Sequence, residues 1–208
     1  MSSVDHGVLF DVDGTLIDSV YQHVRIWHAV LNERGLHVPQ VAIHRGIGLP
    51  AERLVPWLLG RSSPSDQELA AEHDRRFVKQ ANTLLPTPGA IELIADLEAR
   101  QVPFLAVTSA SEETQKALFD ALGRRLPTPA HAPGSKPHAN ILLAAAQTLK
   151  MAPEQLTMIG DAAWDGESAR RAGMHFIGLR CGGVSDEVLL QAGALWVENA
   201  PRDLIGRL

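Results

Sequence analysis

Cysteine is nearly absent from the chain, because Cys181 is the only one in 208 residues. A single thiol cannot form an internal disulfide, and no group of cysteines and histidines has the spacing of a zinc site. The chain also lacks any block of lysine or arginine, and its net charge is −5. The sequence therefore offers neither the basic footprint of a nucleic-acid-binding protein nor a polybasic patch for anionic lipids.

Long apolar segments are also missing, and no run reaches the roughly 18 residues that a transmembrane helix needs. Asp5 and His6 precede only a short apolar run, so we expect no signal peptide. These absences predict a cytoplasmic protein that does not bind a membrane. A chain of 208 residues can form one domain, or a main domain with a small insert.

Short apolar runs alternate with helical patterns along the chain, which predicts an α/β fold with a mainly parallel sheet. The runs are rich in β-branched, aromatic and large aliphatic residues, as is typical of fully buried parallel strands, although buried helix segments can show the same composition. The predicted strands are Gly7 to Phe10, Val102 to Val107, Leu156 to Ile159, His175 to Leu179 and Ala194 to Val197. The proline-rich segment from Gly123 to Lys136 has no strand-like run, and no strand is predicted there.

A helical insert follows the first predicted strand. Residues 18 to about 83 carry apolar side chains at helical spacing and no convincing strand. We expect Trp27 to pack in a core, because it lies on an apolar helical stripe. The stretch from Leu85 to Gly89, which is rich in proline, ends the insert.

Two carboxylates, Asp11 and Asp13, follow the first strand at positions i and i+2. Active sites of parallel α/β sheets form at the carboxyl ends of strands, where this pair lies. The alternative interpretation is an Asp-Gly turn, Asp13-Gly14, that caps a helix. The spacing alone does not choose between them.

A second pair, Asp161 and Asp165, follows the predicted strand that ends at Ile159. Asp165 could simply cap a helix start. Acidic side chains that converge from two strand ends repel one another unless a cation lies between them. Carboxylates, carbonyl oxygens and a substrate phosphate are ligands that Mg²⁺ prefers, so the two pairs together predict a magnesium site.

Two further segments have polarity that suits a phosphate. Thr108 and Ser109 end a predicted strand, and Ser109 with Glu112 could form a capping box at a helix start. Free amides and hydroxyls at a helix start can bind phosphate, although simple helix capping explains the pattern equally well. Lys136 precedes Pro137 in a loop, where a lysine is usually a solvated surface charge.

The ordered set Asp11-Val12-Asp13-Gly14-Thr15, Thr108-Ser109, Lys136-Pro137 and Gly160-Asp161 with Asp165 resembles the four motifs of the haloacid dehalogenase superfamily. The insert resembles the helical cap of its phosphoglycolate phosphatase and beta-phosphoglucomutase branch. The resemblance implies a Rossmann-like core of residues 1–17 and 87–208. A small all-helical cap of residues 18–86 would be inserted after the first strand.

The same resemblance implies the roles of the site residues. Asp11 would be the nucleophile and Asp13 the general acid and base. Mg²⁺ would be held by Asp11, the backbone carbonyl of Asp13, Asp161 and Asp165. Thr108 and Lys136 would bind the phosphoryl oxygens, with Ser109 beside them.

The predicted function is a magnesium-dependent phosphatase acting on a small phosphorylated metabolite such as phosphoglycolate or a sugar phosphate. Arg45 and Gly46, in a segment that resembles the substrate-facing loop of the cap, are candidate substrate contacts, although Arg45 could be an ordinary surface arginine. A hexose-phosphate mutase of the same family and a non-catalytic binding protein on the same fold are the alternatives. The sequence leaves open whether the protein is a monomer or a homodimer.

Overall fold

A computed structural model describes residues 6–129 and 139–208. The part of the chain that it describes contains a five-stranded sheet of order β2-β1-β3-β4-β5, in which every neighbouring pair is parallel. The strands are β1 Gly7–Phe10, β2 Phe104–Ala106, β3 Leu156–Gly160, β4 His175–Leu179 and β5 Val197–Glu198. The predicted α/β fold with a parallel sheet is therefore confirmed.

Helices connect the strands and cover both faces of the sheet. In chain order they are α1 Val20–Glu33, α2 Gln40–Gly46, α3 Ala51–Leu59, α4 Asp66–Gln80, α5 Ala90–Ala99, α6 Glu112–Leu122, α7 Asn140–Leu149, α8 Ala163–Ala172 and α9 Asp186–Gln191. None of the helices in the described ranges combines the length and the apolar character needed to cross a membrane.

Residues of β1 alternate between two hydrophobic clusters. Val8 and Phe10 pack into the larger cluster, whereas Leu9 packs into the smaller one on the opposite face. Successive side chains of a strand point to opposite faces, so a central strand covered on both sides must be apolar at every position. The four residues of β1 are all buried, as this arrangement requires.

The last strand lies later in the chain than predicted. β5 begins at Val197, where the sequence predicted a strand from Ala194 to Val197. The residues before it contact β4 through single backbone hydrogen bonds, from Leu195 N–H to Phe176 and from Gly178 N–H to Trp196. The strand is a short edge strand, and the apolar residues before it are the approach to the sheet.

The segment after α6 passes along the free edge of β2. The N–H of Ala106 donates to the carbonyl of Pro127 over 2.9 Å, and no strand forms among residues 124–129. The remainder of this proline-rich segment, including Lys136, lies outside the described residues.

Four helices, α1 to α4, form the helical insert between β1 and α5. The packing of α1 against α4 buries the stripe that contains Val20, Val24 and Trp27, and the expected core position of Trp27 is observed. The two connections to the sheet run side by side: Asp18 N–H donates to the Leu85 carbonyl and Thr87 N–H to the Leu16 carbonyl, both over 3.0 Å. The exact domain boundaries after residues 17 and 86 remain a prediction.

Candidate active site

Asp11 lies at the carboxyl end of the central strand. Its N–H donates to the carbonyl of Ile159 on β3 over 2.9 Å, which extends the strand pairing by one residue before the chain turns. The side chain is buried. Because β1 and β3 are neighbours and parallel, this contact brings Asp11 beside the loop that follows β3.

Three buried carboxylates, those of Asp11, Asp161 and Asp165, meet at this edge of the sheet. Each supplies an oxygen, and the three oxygens all lie within 4.8 Å of one another. Thr15 Oγ donates to Asp161 over 2.8 Å, and an oxygen of Asp165 accepts from the Ala162 N–H over 3.1 Å. The last contact shows that Asp165 does cap the start of α8 while its carboxylate also joins the cluster.

Oxygen ligands of this kind and spacing fit a hard divalent cation such as Mg²⁺. Three anionic groups held together away from water would otherwise repel one another strongly. The side chain of Asp13 is not part of the cluster. A contribution from its backbone carbonyl remains a prediction.

Two of these carboxylates occupy space that is free only because the residues facing them are glycines. A Cβ atom added to Gly182 would overlap the side chain of Asp161, and one added to Gly160 would overlap that of Asp165. The loop after β4 can therefore approach the loop after β3 only because residue 182 has no side chain.

The carboxyl group of Asp13 is held by Ser19, the residue that precedes α1, and by His23, which lies on α1. Ser19 Oγ donates to its Oδ1 over 2.8 Å, and His23 Nε2 lies 2.9 Å from the same oxygen. Nδ1 of His23 lies 3.0 Å from Nε2 of His73, and Nδ1 of His73 lies 3.0 Å from Oδ1 of Asp74. We call His23, His73 and Asp74 the histidine chain.

No catalytic role was predicted for any histidine, and this chain of contacts was not predicted from the sequence. One signal for it is present: His23 lies on the apolar stripe of α1 between Val20 and Trp27, and His73 lies between Leu69 and Phe77 on that of α4. A histidine on a buried stripe needs a polar partner. The identity of that partner depends on how α1 packs against α4, which the spacing does not give.

The electrostatic state of the chain follows from its burial. Burial lowers the pKa of His73 to about 4, so its ring is neutral near pH 7. Burial acts to raise the pKa of Asp74, but hydrogen bonds with His73 and Ser111 outweigh it and lower that pKa. The far end of the chain is therefore a carboxylate.

A cavity of about 310 Å³ lies between the carboxyl edge of the sheet and the helical insert. Of the predicted site residues, Asp11, Asp13, Thr108 and Ser109 line it together. The rest of its wall is mostly apolar, with two acidic residues. These other lining residues include Trp27, Ile47, Leu49, Pro50, Leu54, Ala70, Glu52 and Asp74.

Arg45 and Gly46 are not among the described residues that line this cavity. Arg45 is exposed, and its carbonyl accepts from Nε1 of Trp164 over 3.1 Å. Gly46 ends α2 and is buried, with Leu54 and Trp57 where a side chain would be. The next two residues, Ile47 and Gly48, line the cavity, and contact of Arg45 or Gly46 with a substrate remains a prediction.

The helix start near Thr108 is capped differently from the prediction. The residue that caps α6 is Ser111, whose Oγ accepts from the Thr114 N–H, and not Ser109. The helix begins two residues later than a Ser109 cap would require, and before it Thr108 Oγ accepts from the Ala110 N–H in a local turn. Ser109 is left facing the cavity.

Comparison with known proteins identifies the family to which the chain belongs. The model of one family, described as haloacid dehalogenase-like hydrolase, matches residues 6–173. The chain belongs to the haloacid dehalogenase-like hydrolase family. The family match spans the motif-bearing segments from β1 to α8.

Several relatives that resemble the chain are phosphatases. An N-acetylmuramic acid 6-phosphate phosphatase of Pseudomonas aeruginosa is 31% identical over 95% of this chain and 92% of its own. A phosphoglycolate phosphatase of Chromobacterium violaceum is 30% identical over 84% and 85%. Among solved structures, a hydrolase from Pseudomonas syringae superposes with a TM-score of 0.91 at 30% identity, covering 96% of this chain and 95% of that one. This haloacid dehalogenase-like chain is therefore a hydrolase of phosphoric monoesters.

Proposed function

We propose that the protein is a magnesium-dependent phosphatase that forms an aspartyl-phosphate on Asp11 and hydrolyses a small sugar or polyol phosphate. The observation that carries the proposal is the meeting of three buried carboxylates beside a cavity that Asp13 also lines. Such a set of acids suits phosphoryl transfer, where a cation must offset charge on both nucleophile and phosphate. A small phosphorylated metabolite as partner and a cytoplasmic location belong to the same proposal.

In the first step, a carboxylate oxygen of Asp11 attacks the phosphorus, and the bond from phosphorus to the alcohol oxygen breaks. The carboxyl proton of Asp13 passes to that oxygen as the alcohol leaves. In the second step, a water oxygen attacks the phosphorus of the aspartyl-phosphate, and a proton of the water passes to Asp13. The bond between phosphorus and Asp11 then breaks, releasing inorganic phosphate.

Other groups stabilise the charge that develops. When bound by Asp11, Asp161, Asp165 and the backbone carbonyl of Asp13, Mg²⁺ supplies positive charge between the nucleophile and the phosphate. Thr108 lines the cavity beside Asp11 and would donate to a phosphoryl oxygen, with Ser109 next to it. Lys136 would bind a second oxygen and orient Asp11.

The wall of the cavity favours a sugar or polyol phosphate over phosphoglycolate. Asp74 and Glu52 line it, and none of the described lining residues is lysine or arginine. A substrate carboxylate would meet like charge there, whereas sugar hydroxyls can donate hydrogen bonds to Glu52. The apolar lining residues suit the carbon skeleton of a sugar.

The test is phosphate release from a panel of sugar, polyol and carboxylated phosphate esters, with and without Mg²⁺, by wild type and Asp11→Asn. We expect Mg²⁺-dependent release that is lost in Asp11→Asn, with sugar or polyol phosphates preferred. A preference for phosphoglycolate would contradict the substrate class alone. An isomeric sugar phosphate without free phosphate would identify a mutase, and the absence of any turnover would favour a non-catalytic binding protein.

A further inference from the structure

The histidine chain links the wall of the cavity to the carboxyl group of Asp13. Its three contacts measure 2.9, 3.0 and 3.0 Å and pass through two buried imidazole rings, one on α1 and the other on α4. All three distances are within hydrogen-bonding range. None of the three residues belongs to the motifs that the sequence singled out.

The rings of the chain have little freedom to move. The ring of His73 stacks on Trp27 at 4.3 Å, and that of His23 stacks on Phe77 at 3.9 Å between ring centroids. Such close packing holds the planes of both imidazoles. Both rings are therefore fixed relative to α4, and the His23 ring positions the carboxyl group of Asp13 accordingly.

The hydrogen bonds of His73 have a single direction. An ionised Asp74 accepts from Nδ1–H of His73, and a neutral His73 then has only a lone pair at Nε2. That lone pair accepts from Nδ1–H of His23. The orientation of the His23 ring is thus set by Asp74, two contacts away.

We propose that His73 and Asp74 are positioning residues that act through His23 to hold the carboxyl group of Asp13 in line with the leaving alcohol. The inference rests on the proposed function, in which Asp13 is the general acid and base. His73 and Asp74 touch neither phosphate nor nucleophile in this role. Their effect is confined to the step in which Asp13 transfers a proton.

Substrates with different leaving groups can distinguish this positioning role from a general structural role. An alkyl phosphate expels a strongly basic alkoxide that needs a proton, whereas p-nitrophenyl phosphate expels a weakly basic phenolate that leaves without one. Loss of general acid catalysis therefore slows attack on alkyl esters selectively. The value of kcat/KM reports the steps up to departure of the leaving group, so it isolates this effect from hydrolysis of the aspartyl-phosphate.

The experiment compares kcat/KM for the best alkyl phosphate of the panel and for p-nitrophenyl phosphate in Asp74→Ala, Asp74→Asn and His73→Phe. For Asp74→Ala and His73→Phe we expect roughly 10- to 100-fold losses on the alkyl ester, as befits partial loss of acid catalysis. Activity on the aryl ester should stay within about threefold of wild type. Asp74→Asn keeps an oxygen that can accept from His73 and should restore part of the lost activity.

Glu68→Ala is the matched control, because Glu68 is an exposed carboxylate on α4, the helix that also carries Asp74, and lies outside both the cavity wall and the histidine chain. It should show no difference between the two kinds of ester. Equal losses on both esters in Asp74→Ala, or no loss on either, would overturn the inference while leaving the phosphatase intact. If Asp13→Asn itself kept full activity on alkyl esters, the proposed function would fail and this inference with it.

Discussion

At residue 182 the absence of a side chain determines how closely two loops approach. Any Cβ there would overlap Asp161, whose carboxylate is one of three in the buried cluster. The carboxylate cannot retreat freely, because Thr15 Oγ holds it over 2.8 Å. A side chain at position 182 must therefore displace either the loop or a cation ligand.

We expect Gly182→Ala to weaken Mg²⁺ binding by roughly 10-fold or more, the range seen when the surroundings of a metal ligand are disturbed. The measurement is the Mg²⁺ concentration that gives half-maximal activity. Gly35→Ala is the control, because Gly35 has a positive φ but no neighbour within 4 Å of the added atom. It should cost some stability and leave the Mg²⁺ requirement unchanged; a normal Mg²⁺ requirement in Gly182→Ala would contradict the close-approach argument.

His73 should make the folded protein sensitive to acid. The unfolded chain takes up a proton at this histidine near pH 6.5, whereas the folded protein does so only near pH 4. Between these values protons favour the unfolded chain, so the free energy of unfolding falls as the pH falls. The contribution of His73 to this loss is roughly 3 kcal/mol by pH 4.

Urea unfolding of wild type and His73→Phe between pH 7 and pH 4 measures this contribution. The variant cannot be protonated at this position, so its stability should decline less steeply across the interval. Parallel declines in the two proteins would show that residue 73 is not the group that responds.

The carboxylates of the site could be predicted from sequence, but their helpers could not. Asp11 and Asp161 each follow a strand directly, and adjacent parallel strands bring such residues to one edge of the sheet. His23 and His73 are 50 residues apart on different helices, and their contact exists only once α1 packs on α4. Arg45 is close in sequence to residues that line the cavity, but it belongs to the last turn of α2 and its side chain is exposed.

Among the elements, α8 carries one of the side-chain contacts that join the sheet domain to the helical insert. Nε1 of Trp164 donates to the carbonyl of Arg45 over 3.1 Å, and its ring meets that of Trp57 edge to face at 5.9 Å. Nε2 of His44 also lies 2.8 Å from the carbonyl of Gly182. These contacts hold α2 and α3 over the carboxyl edge of the sheet.

Trp164→Phe keeps an aromatic ring but removes the N–H donor to Arg45. A hydrogen bond of this kind contributes about 1 kcal/mol, so without it the insert should be held less firmly over the cavity and KM should rise by up to about 5-fold. Steady-state kinetics on the best substrate provide the measurement. The same change at Trp196, which is partly exposed just before β5, is the control and should leave KM unchanged. A KM equal to wild type in both variants would contradict a role for this contact in substrate binding.

The elements differed in how well the sequence predicted them. β1 and β4 begin and end where the apolar runs do, because both are covered on both faces and must be apolar throughout. β5 is an edge strand of two residues, and the apolar run that predicted it ends where the strand begins. Edge strands need less burial, so hydrophobicity marks their limits poorly.

At the scale of the whole molecule, the order of segments along the chain was the most predictable property. Alternating apolar runs and helical patterns predict a parallel sheet, and a helical stretch without strands predicts an insertion into it. The strand order β2-β1-β3-β4-β5 places β1 inside the sheet between two neighbours. No local pattern specifies that order, which depends on which runs pair in space.

The two connections of the helical insert also have a mechanical consequence. Asp18 is bonded to Leu85 and Thr87 to Leu16, so the entering and leaving chains form a short ribbon. A domain that is joined by a single linker can rotate in any direction. Two linkers that are hydrogen-bonded to each other resist twisting and bend mainly in one direction. We therefore expect any opening of the insert to be a bend about one axis, so that closing would return the histidine chain to the same alignment with Asp13.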